Sequence, residues 1–95
     1  MPTDPSGPTV TVMLPSALIR LFPGSAARVE VNAATVDELI GALDARWHGM
    51  RDRLRDSRPA IRRHIHVFVD GRRATLETPL APGTEVYILT AMSGG

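Results

Sequence analysis

The stretch Thr35-Val-Asp-Glu-Leu-Ile-Gly-Ala-Leu-Asp-Ala-Arg-Trp-His-Gly-Met50 predicts the one long helix of this chain. Thr35 and Glu38 form a capping-box pattern, in which the Thr35 hydroxyl accepts from the Glu38 amide and the Glu38 carboxylate reaches back to the Thr35 amide. The apolar residues that follow recur at helical spacing: Val36, Leu39, Ile40, Leu43, Trp47 and Met50. The helix is expected to end near His48-Gly49, with Gly49 in a left-handed conformation.

Three details of this stretch carry further expectations. Trp47, at the end of the apolar stripe, is interpreted as a core anchor. Gly41 costs a helix up to about 1 kcal/mol relative to Ala, so its presence suggests a close approach of the helix to a sheet. Residues Met50 to Leu54 are expected to add a short further turn.

Two strands are predicted before the helix. Thr9 to Leu14 alternates between apolar and polar residues, which is typical of a half-buried strand. Arg28 to Val31 is interpreted as its hairpin partner. Between the two strands, Ser16 is expected to cap a single helical turn that Pro23-Gly24 closes.

Three strands are predicted after the helix. His64 to Val69 alternates again, and the Asp70-Gly71 turn signal predicts that Arg72 to Leu76 returns beside it as a short edge strand. Ala81-Pro-Gly-Thr84 fits a type II turn, which leads into the final strand, Glu85 to Thr90. The order β-β-α-β-β-β predicts the α+β class, with a mixed sheet of four to five strands packed on one main helix.

Composition narrows the classes of function. The 95 residues make one domain with one modest core, and the absence of Cys excludes a disulfide scaffold and a Cys nucleophile. Residues 1–8 have neither the basic nor the apolar region of a signal peptide, and no apolar run is long enough to span a bilayer. We therefore expect a cytoplasmic protein that does not bind membranes.

Positive charge is concentrated in one part of the sequence. All eleven basic residues are Arg, and seven of them lie between Arg46 and Arg63. Because Trp47 is the only aromatic residue among them, we interpret this stretch as a solvated basic face and not as a nucleic-acid site. A docking surface for an acidic partner protein is the intermediate alternative.

The last six residues, Thr90-Ala-Met-Ser-Gly-Gly95, follow the final strand directly and contain no charged side chain. A chain end of this kind is often frayed and without chemistry. The alternative is a tail that presents its terminal carboxylate to an enzyme.

Five motifs in this order resemble the ubiquitin-like sulfur carriers of the MoaD/ThiS family, and the resemblance covers nearly the whole chain. The motifs are Thr9-Val-Thr-Val-Met-Leu-Pro15, Ala34-Thr-Val-Asp-Glu-Leu39, His66-Val-Phe-Val-Asp-Gly71, Thr78-Pro-Leu-Ala-Pro-Gly-Thr-Glu-Val86 and Ser93-Gly-Gly95. Within the family, the Arg-Arg-His before the third strand and the Leu14-Pro15 stop look most like the carrier of the protein-bound cysteine pathway. Thr90 and Met92 depart from the Pro and Val that are common in family tails.

The resemblance implies a β-grasp fold in which the first strand lies between the second and the last, with the third beside the last. It implies a lead-in over residues 1–8, the folded domain over residues 9–90 and a tail over residues 91–95.

In this family an E1-like adenylyltransferase uses Mg-ATP to activate the terminal carboxylate, here that of Gly95, and sulfur then forms a thiocarboxylate for a client enzyme. Gly94 and Gly95 lack Cβ and suit a narrow channel. The chain itself is thus expected to bind no cofactor and to be a carrier, or the small subunit of a sulfur-transferring complex, and not an enzyme.

The implied strand order also predicts an exposed apolar patch that binds the partners together with the tail. The predicted partner-binding residues are Met13, Phe68, Tyr87, Leu89, Ala91, Met92 and Ser93. Partial cover by the N-terminal segment, or ordinary single exposures, are the alternatives for the patch. His64 and His66 share a strand face, but without a third ligand in view no metal site is predicted.

Two other functions remain open at this level. A ubiquitin-like modifier would be joined to protein Lys through the same activated Gly95 carboxylate, and a β-grasp binding module would make no use of Gly-Gly.

Overall fold

A computed structural model describes residues 7–56 and 60–90 of the chain. The eight elements, in chain order, are β1 (Thr9–Met13), α1 (Ser16–Leu21), β2 (Arg28–Asn32), α2 (Val36–Arg46), α3 (Met50–Leu54), β3 (Ile65–Val69), β4 (Arg72–Arg73) and β5 (Glu85–Thr90). Residues 1–6 and 91–95, which include most of the predicted lead-in and the whole predicted tail, lie outside the described residues.

The sheet has five strands in the order β2-β1-β5-β3-β4. β1 and β5 are parallel, with Val12 opposite Val86, and the remaining pairs are antiparallel. This order places β1 between β2 and β5 and places β3 beside β5, which confirms the predicted β-grasp.

One face of the sheet packs on the helices because its side chains alternate with period two along each strand. Every second residue of β1, β2, β3 and β5 is buried, and α2 supplies four buried residues from its apolar stripe. The largest fully buried side chains are Leu39, Ile40, Leu43, Met50, Leu54, Ile88, Val10, Val12, Val36, Val67 and Val86. The periodicities in the sequence therefore identify the core correctly.

The start of α2 follows the capping-box prediction with one difference. The Thr35 hydroxyl accepts from the Glu38 amide at 3.2 Å, as expected. The Glu38 carboxylate, however, accepts from the amide of Ala34 at 2.9 Å and not from that of Thr35. Both bonds satisfy amides that an isolated helix start leaves without partners.

The end of α2 comes two residues earlier than predicted. The helix stops at Arg46, and Asp44 explains why: its Oδ1 accepts from the backbone amides of Gly49 at 2.9 Å and Arg51 at 3.1 Å. These bonds turn the chain into α3. Gly49 has the predicted left-handed conformation, with φ of 100°, and it is the N-cap of α3. Trp47 is half-buried and packs against the core.

Three smaller predictions are wrong. Ser16 is the first residue of α1 and makes no side-chain cap, because Pro15 occupies the N-cap. Nothing lies within 4 Å of a Cβ built on Gly41, so this glycine marks no close approach to the sheet. β4 ends at Arg73, since Thr75 and Thr78 bond to each other locally and take the chain away from the ladder.

The two predicted turns are confirmed. Asp70 and Gly71 both have positive φ, 53° and 80°, as a two-residue hairpin loop requires. In the second turn Gly83 has φ of 80° and the Thr84 amide donates to Ala81 O at 3.1 Å. The Gly83 amide also donates to Thr9 O at 2.9 Å, so this turn fixes the start of β5 against β1.

Candidate functional site

The end of β5 determines where the carboxyl-terminal segment begins. Thr90, the last residue of β5, is opposite Ile65, and β5 is hydrogen-bonded to β1 on one side and to β3 on the other. Thr90 is therefore held by the β3 ladder, whereas the β1 ladder covers Glu85 to Tyr87 at the start of β5. The predicted site residues Ala91, Met92, Ser93, Gly94 and Gly95 lie outside the described residues, so their roles stay predictions.

The four remaining predicted site residues lie together on the sheet face opposite the helices. Tyr87 of β5 is opposite Met13 of β1 and also opposite Phe68 of β3, so these three form one row across three adjacent strands. Leu89 lies two residues further along β5, on the same face. We call these four residues the sheet patch.

The side chains of the sheet patch differ in exposure. Met13 and Phe68 are half-buried, whereas Tyr87 is 41% exposed and Leu89 is 45% exposed. Few large apolar side chains among the described residues are this exposed, and a cluster of them is typical of a contact surface. The structure thus places the side chains as predicted, and their role in partner binding remains a prediction.

Polar groups border the sheet patch, and sequence reasoning did not find them. Arg28 on β2 pairs with Glu85 on β5 at 4.0 Å, and the Tyr87 hydroxyl donates to Glu85 at 3.4 Å. On the other side, the Arg73 guanidinium contacts His66 Nδ1. An exposed pair such as Arg28 and Glu85 contributes little to stability. The strand register is the signal that finds them, because Arg28 is opposite Met13 and Arg73 is opposite Phe68.

Away from the sheet patch, Asp44 has a lowered pKa. The hydrogen bond from the Arg51 amide is the main cause that lowers the pKa of Asp44, and the Gly49 amide and nearby positive charges add to it, while burial opposes them. Asp44 links α2 to α3 on the helical side of the molecule, so its carboxylate serves the fold and not the sheet patch.

The predicted absence of a metal site and of a membrane segment can be compared with the described part of the chain. Residues 7–56 and 60–90 contain no group of three or more His, Asp or Glu side chains arranged to hold a metal ion. His64 is exposed before β3, and His66 is engaged with Arg73. In the same part of the chain, no helix has both the length and the apolar character needed to cross a membrane.

Comparison with known proteins identifies a matching family and curated relatives that are sulfur carriers. A family model described as the ThiS family matches residues 12–95. The sulfur carrier protein CysO of Mycobacterium bovis is 32% identical over 92 residues, which cover 90% of this chain and 98% of that protein, and CysO of Mycobacterium tuberculosis gives the same values.

Solved structures share the fold over nearly the whole chain. The structure of the BexX/CysO complex from Amycolatopsis orientalis superposes with a TM-score of 0.80 at 32% identity, covering 90% of this chain and 99% of that one. Small archaeal modifier protein 1 from Haloferax volcanii superposes with a TM-score of 0.76 at 25% identity, covering 90% of this chain and 100% of that one.

Proposed function

The chain belongs to the ThiS family of ubiquitin-like sulfur carriers, and from this membership we propose that it carries sulfur as a thiocarboxylate on Gly95. The observation that carries the proposal is the family match, which extends over residues 12–95 and so includes Gly94-Gly95. In the sequence, Gly95 lies five residues after Thr90, the last residue of β5, and β5 carries Tyr87 and Leu89 of the sheet patch. Five extended residues reach on the order of 17 Å, which lets the terminus enter a buried enzyme site while the domain stays outside.

The chemistry needs a partner because a carboxylate is a poor electrophile. The α-carboxyl group has a pKa of roughly 3.5 and is ionised at neutral pH. In the proposed reaction, a carboxylate oxygen of Gly95 attacks the α-phosphate of ATP, and pyrophosphate leaves. A sulfide sulfur then attacks the acyl carbon, a C–S bond forms, and the C–O bond to AMP breaks. ATP and Mg are bound by the adenylating enzyme, and this chain supplies the carboxylate and the docking surface.

The sheet patch is the proposed docking surface for the E1-like adenylyltransferase and, later, for the client enzyme. The support is the row of Met13, Tyr87 and Phe68 with Leu89 beside it, on the strand that carries the tail. The solved BexX/CysO complex supports the idea that a carrier of this type binds a protein partner. We further propose that the client belongs to cysteine synthesis, because the curated relatives are CysO sulfur carriers.

The decisive experiment is the intact mass of the protein after incubation with a cognate E1-like adenylyltransferase, Mg-ATP and sulfide. We expect the exchange of one oxygen for one sulfur, mapped to Gly95 by fragmentation. An unchanged mass, with an enzyme that thiolates a known carrier in parallel, would reject the carrier function. Thiolated protein offered separately to clients of molybdopterin, thiazole and cysteine synthesis should lose its sulfur to the last of these.

A ubiquitin-like modifier is the second candidate, and the similarity to small archaeal modifier protein 1 favours it specifically. Conjugation would use the same activated carboxylate on Lys of another protein, since this chain has no Lys of its own. Isopeptide adducts ending in Gly95, detected in host lysate by mass spectrometry, would support the modifier. A plain binding module would instead keep its partner after removal of residues 91–95.

A further inference from the structure

Four exposed cationic or titratable side chains lie together on the segment before β3 and on the neighbouring α3. We call them the basic band: Arg53, Arg62, Arg63 and His64. With Asp56 and Ile65 they line a surface depression of about 210 Å³. The band comes from the Arg-rich stretch of the sequence, and the sheet patch does not include it.

The basic band continues into a second depression with a mixed polar and apolar lining. Arg53 and Arg62 also line this depression of about 660 Å³, together with His48, Gly49 and Asp52 and, from the α1 region, Leu21 and Phe22. Leu21 is 51% exposed although it is apolar. The surface therefore presents guanidinium groups next to the apolar side chains of Leu21 and Phe22.

The three arginines of the band outnumber the two carboxylates in the lining of the two depressions, Asp52 and Asp56. The ion pairs of Arg28 with Glu85 and of Arg55 with Asp37 do not use an arginine of the band. Arg62 donates from Nε to the backbone oxygen of Asp52 at 2.6 Å, which fixes the side chain but brings no negative charge. Three guanidinium groups thus share the neighbourhood of Asp52 and Asp56, and the surplus of charge is positive.

The basic band lies at the end of the sheet from which the tail starts. Ile65, which lines the same depression as the band, is opposite Thr90, and His64 and Arg63 precede Ile65 directly in the chain. A protein that accepts the tail therefore approaches the band at the same time. Arg72, by contrast, lies at the other end of β3, opposite Val69, about 13 Å away along the strand.

We propose that the basic band binds an acidic segment of the adenylating partner, with one apolar side chain of that segment seated against Leu21 and Phe22. The identity of the partner rests on the proposed function, whereas the acidic character of the segment is inferred from the positive charge of the basic band. Guanidinium groups pair with carboxylates through two parallel hydrogen bonds, which gives orientation as well as attraction. Complementary charge also raises the association rate, so the band would guide the tail to the partner before the sheet patch makes contact.

The first experiment tests, without any enzyme, whether the basic band binds an acidic peptide. The full chain labelled with ¹⁵N is titrated with the blocked peptide Glu-Glu-Leu-Glu-Glu, with Lys-Lys-Leu-Lys-Lys as the matched control, and with a single-stranded oligonucleotide. We expect amide shifts from the acidic peptide at Arg53, Arg62, Arg63, His64 and Leu21, weakened by salt. Shifts confined to the sheet patch, no shifts, or tighter binding of the oligonucleotide than of the acidic peptide would each overturn the proposal.

The second experiment measures association with the adenylating partner after the charges of two arginines of the band are reversed. The double variant Arg53→Glu/Arg63→Glu changes two exposed side chains and keeps the bond from Arg62 to Asp52. Arg72→Glu is the matched control. Arg72 lies more than a Debye length from the end of the band at physiological salt. We expect the double variant to associate with the E1-like adenylyltransferase at least about tenfold more slowly at low salt, with the difference shrinking as salt rises. An equal rate for the double variant and wild type would overturn the proposal. Binding is read out by surface plasmon resonance, so this result stands apart from the mass change that tests the carrier function.

Discussion

Asp44 shows how one carboxylate joins two helices. Its Oδ1 accepts from the Gly49 and Arg51 amides, five and seven residues further along the chain. The bond from the Glu38 amide to the Thr35 hydroxyl was predictable from the sequence because both groups lie within one turn at the start of α2. Asp44 was not, because its partners depend on where α2 ends and how Gly49 redirects the backbone.

Replacing Asp44 should destabilise the fold in a pH-dependent way. Asp44→Ala leaves two amides without their acceptor, and we expect a loss of about 1 to 2 kcal/mol in the free energy of unfolding at pH 7. Because the folded-state pKa of Asp44 is lowered, its stabilising contribution is present above the unfolded pKa and is lost as pH falls through the folded pKa.

Urea denaturation of wild type and Asp44→Ala at pH 7 and near pH 2.5 measures this difference. We expect a smaller gap between the two proteins at the lower pH, with Asp44→Asn intermediate at pH 7 because it keeps an acceptor oxygen. A gap of the same size at both pH values would show that the charge of Asp44 contributes nothing.

Gly41 lies inside α2 and lacks the structural reason that the sequence suggested for it. Since nothing lies within 4 Å of an added Cβ, Gly41→Ala should raise the free energy of unfolding by about 0.5 to 1 kcal/mol. Gly83→Ala is the matched control: its φ of 80° is unfavourable for Ala, and we expect a loss of about 1 kcal/mol. Thermal unfolding of the three proteins gives the ranking, and a destabilised Gly41→Ala would restore the close-approach interpretation.

At the level of the elements, alternation along β1, β3 and β5 was enough to predict both faces of the sheet. The short β4 was not predictable from alternation, since Ala74 and Leu76 are buried like strand residues although both follow the end of β4, and Leu76 lies in a turn that Thr75 and Thr78 stabilise. Apolar alternation in a sequence indicates which residues are buried. A buried residue that follows a hairpin turn does not have to belong to the strand pairing.

The sheet patch is the element-level feature that the proposed function depends on. Phe68→Asp or, with less effect on the fold, Leu89→Asp should weaken binding to the adenylyltransferase by tenfold or more, because a charge replaces an apolar contact. Ala45→Asp is the control, since Ala45 is exposed on α2 on the opposite side of the sheet. Isothermal titration calorimetry measures the affinities, and circular dichroism checks the fold. Wild-type affinity in both sheet variants would remove the patch from the interface.

At the scale of the whole molecule, the proposed chemistry lies at Gly95, and the core of the described residues is formed by side chains between Val10 and Ile88. We expect deletion of Gly95, or Gly94→Val, to abolish adenylation while leaving the unfolding temperature unchanged, because neither change alters these core residues. ATP–pyrophosphate exchange with the adenylyltransferase measures the first effect and calorimetry the second. Ser93→Ala is the control, and normal exchange by the Gly94 variant would contradict the need for a narrow channel.

The sequence predicted the architecture and the sheet patch because both follow from local periodicity and from a recognisable order of motifs. The polar border and the basic band were out of reach for a different reason. Arg28 and Glu85 come from distant positions that only the register of β2, β1 and β5 brings together. The seven clustered Arg residues were visible, but their position relative to the tail required the pairing of Ile65 with Thr90.

The central position of β5 has a mechanical consequence. A pull along the axis of β5 would load two ladders in shear: the β3 ladder, which covers Val86 to Thr90, and the β1 ladder, which covers Glu85 to Tyr87. Bonds loaded in shear resist together, whereas bonds at a free edge peel apart one after another. We therefore expect the domain to resist unfolding when a partner enzyme pulls on the carboxyl-terminal segment along the axis of β5.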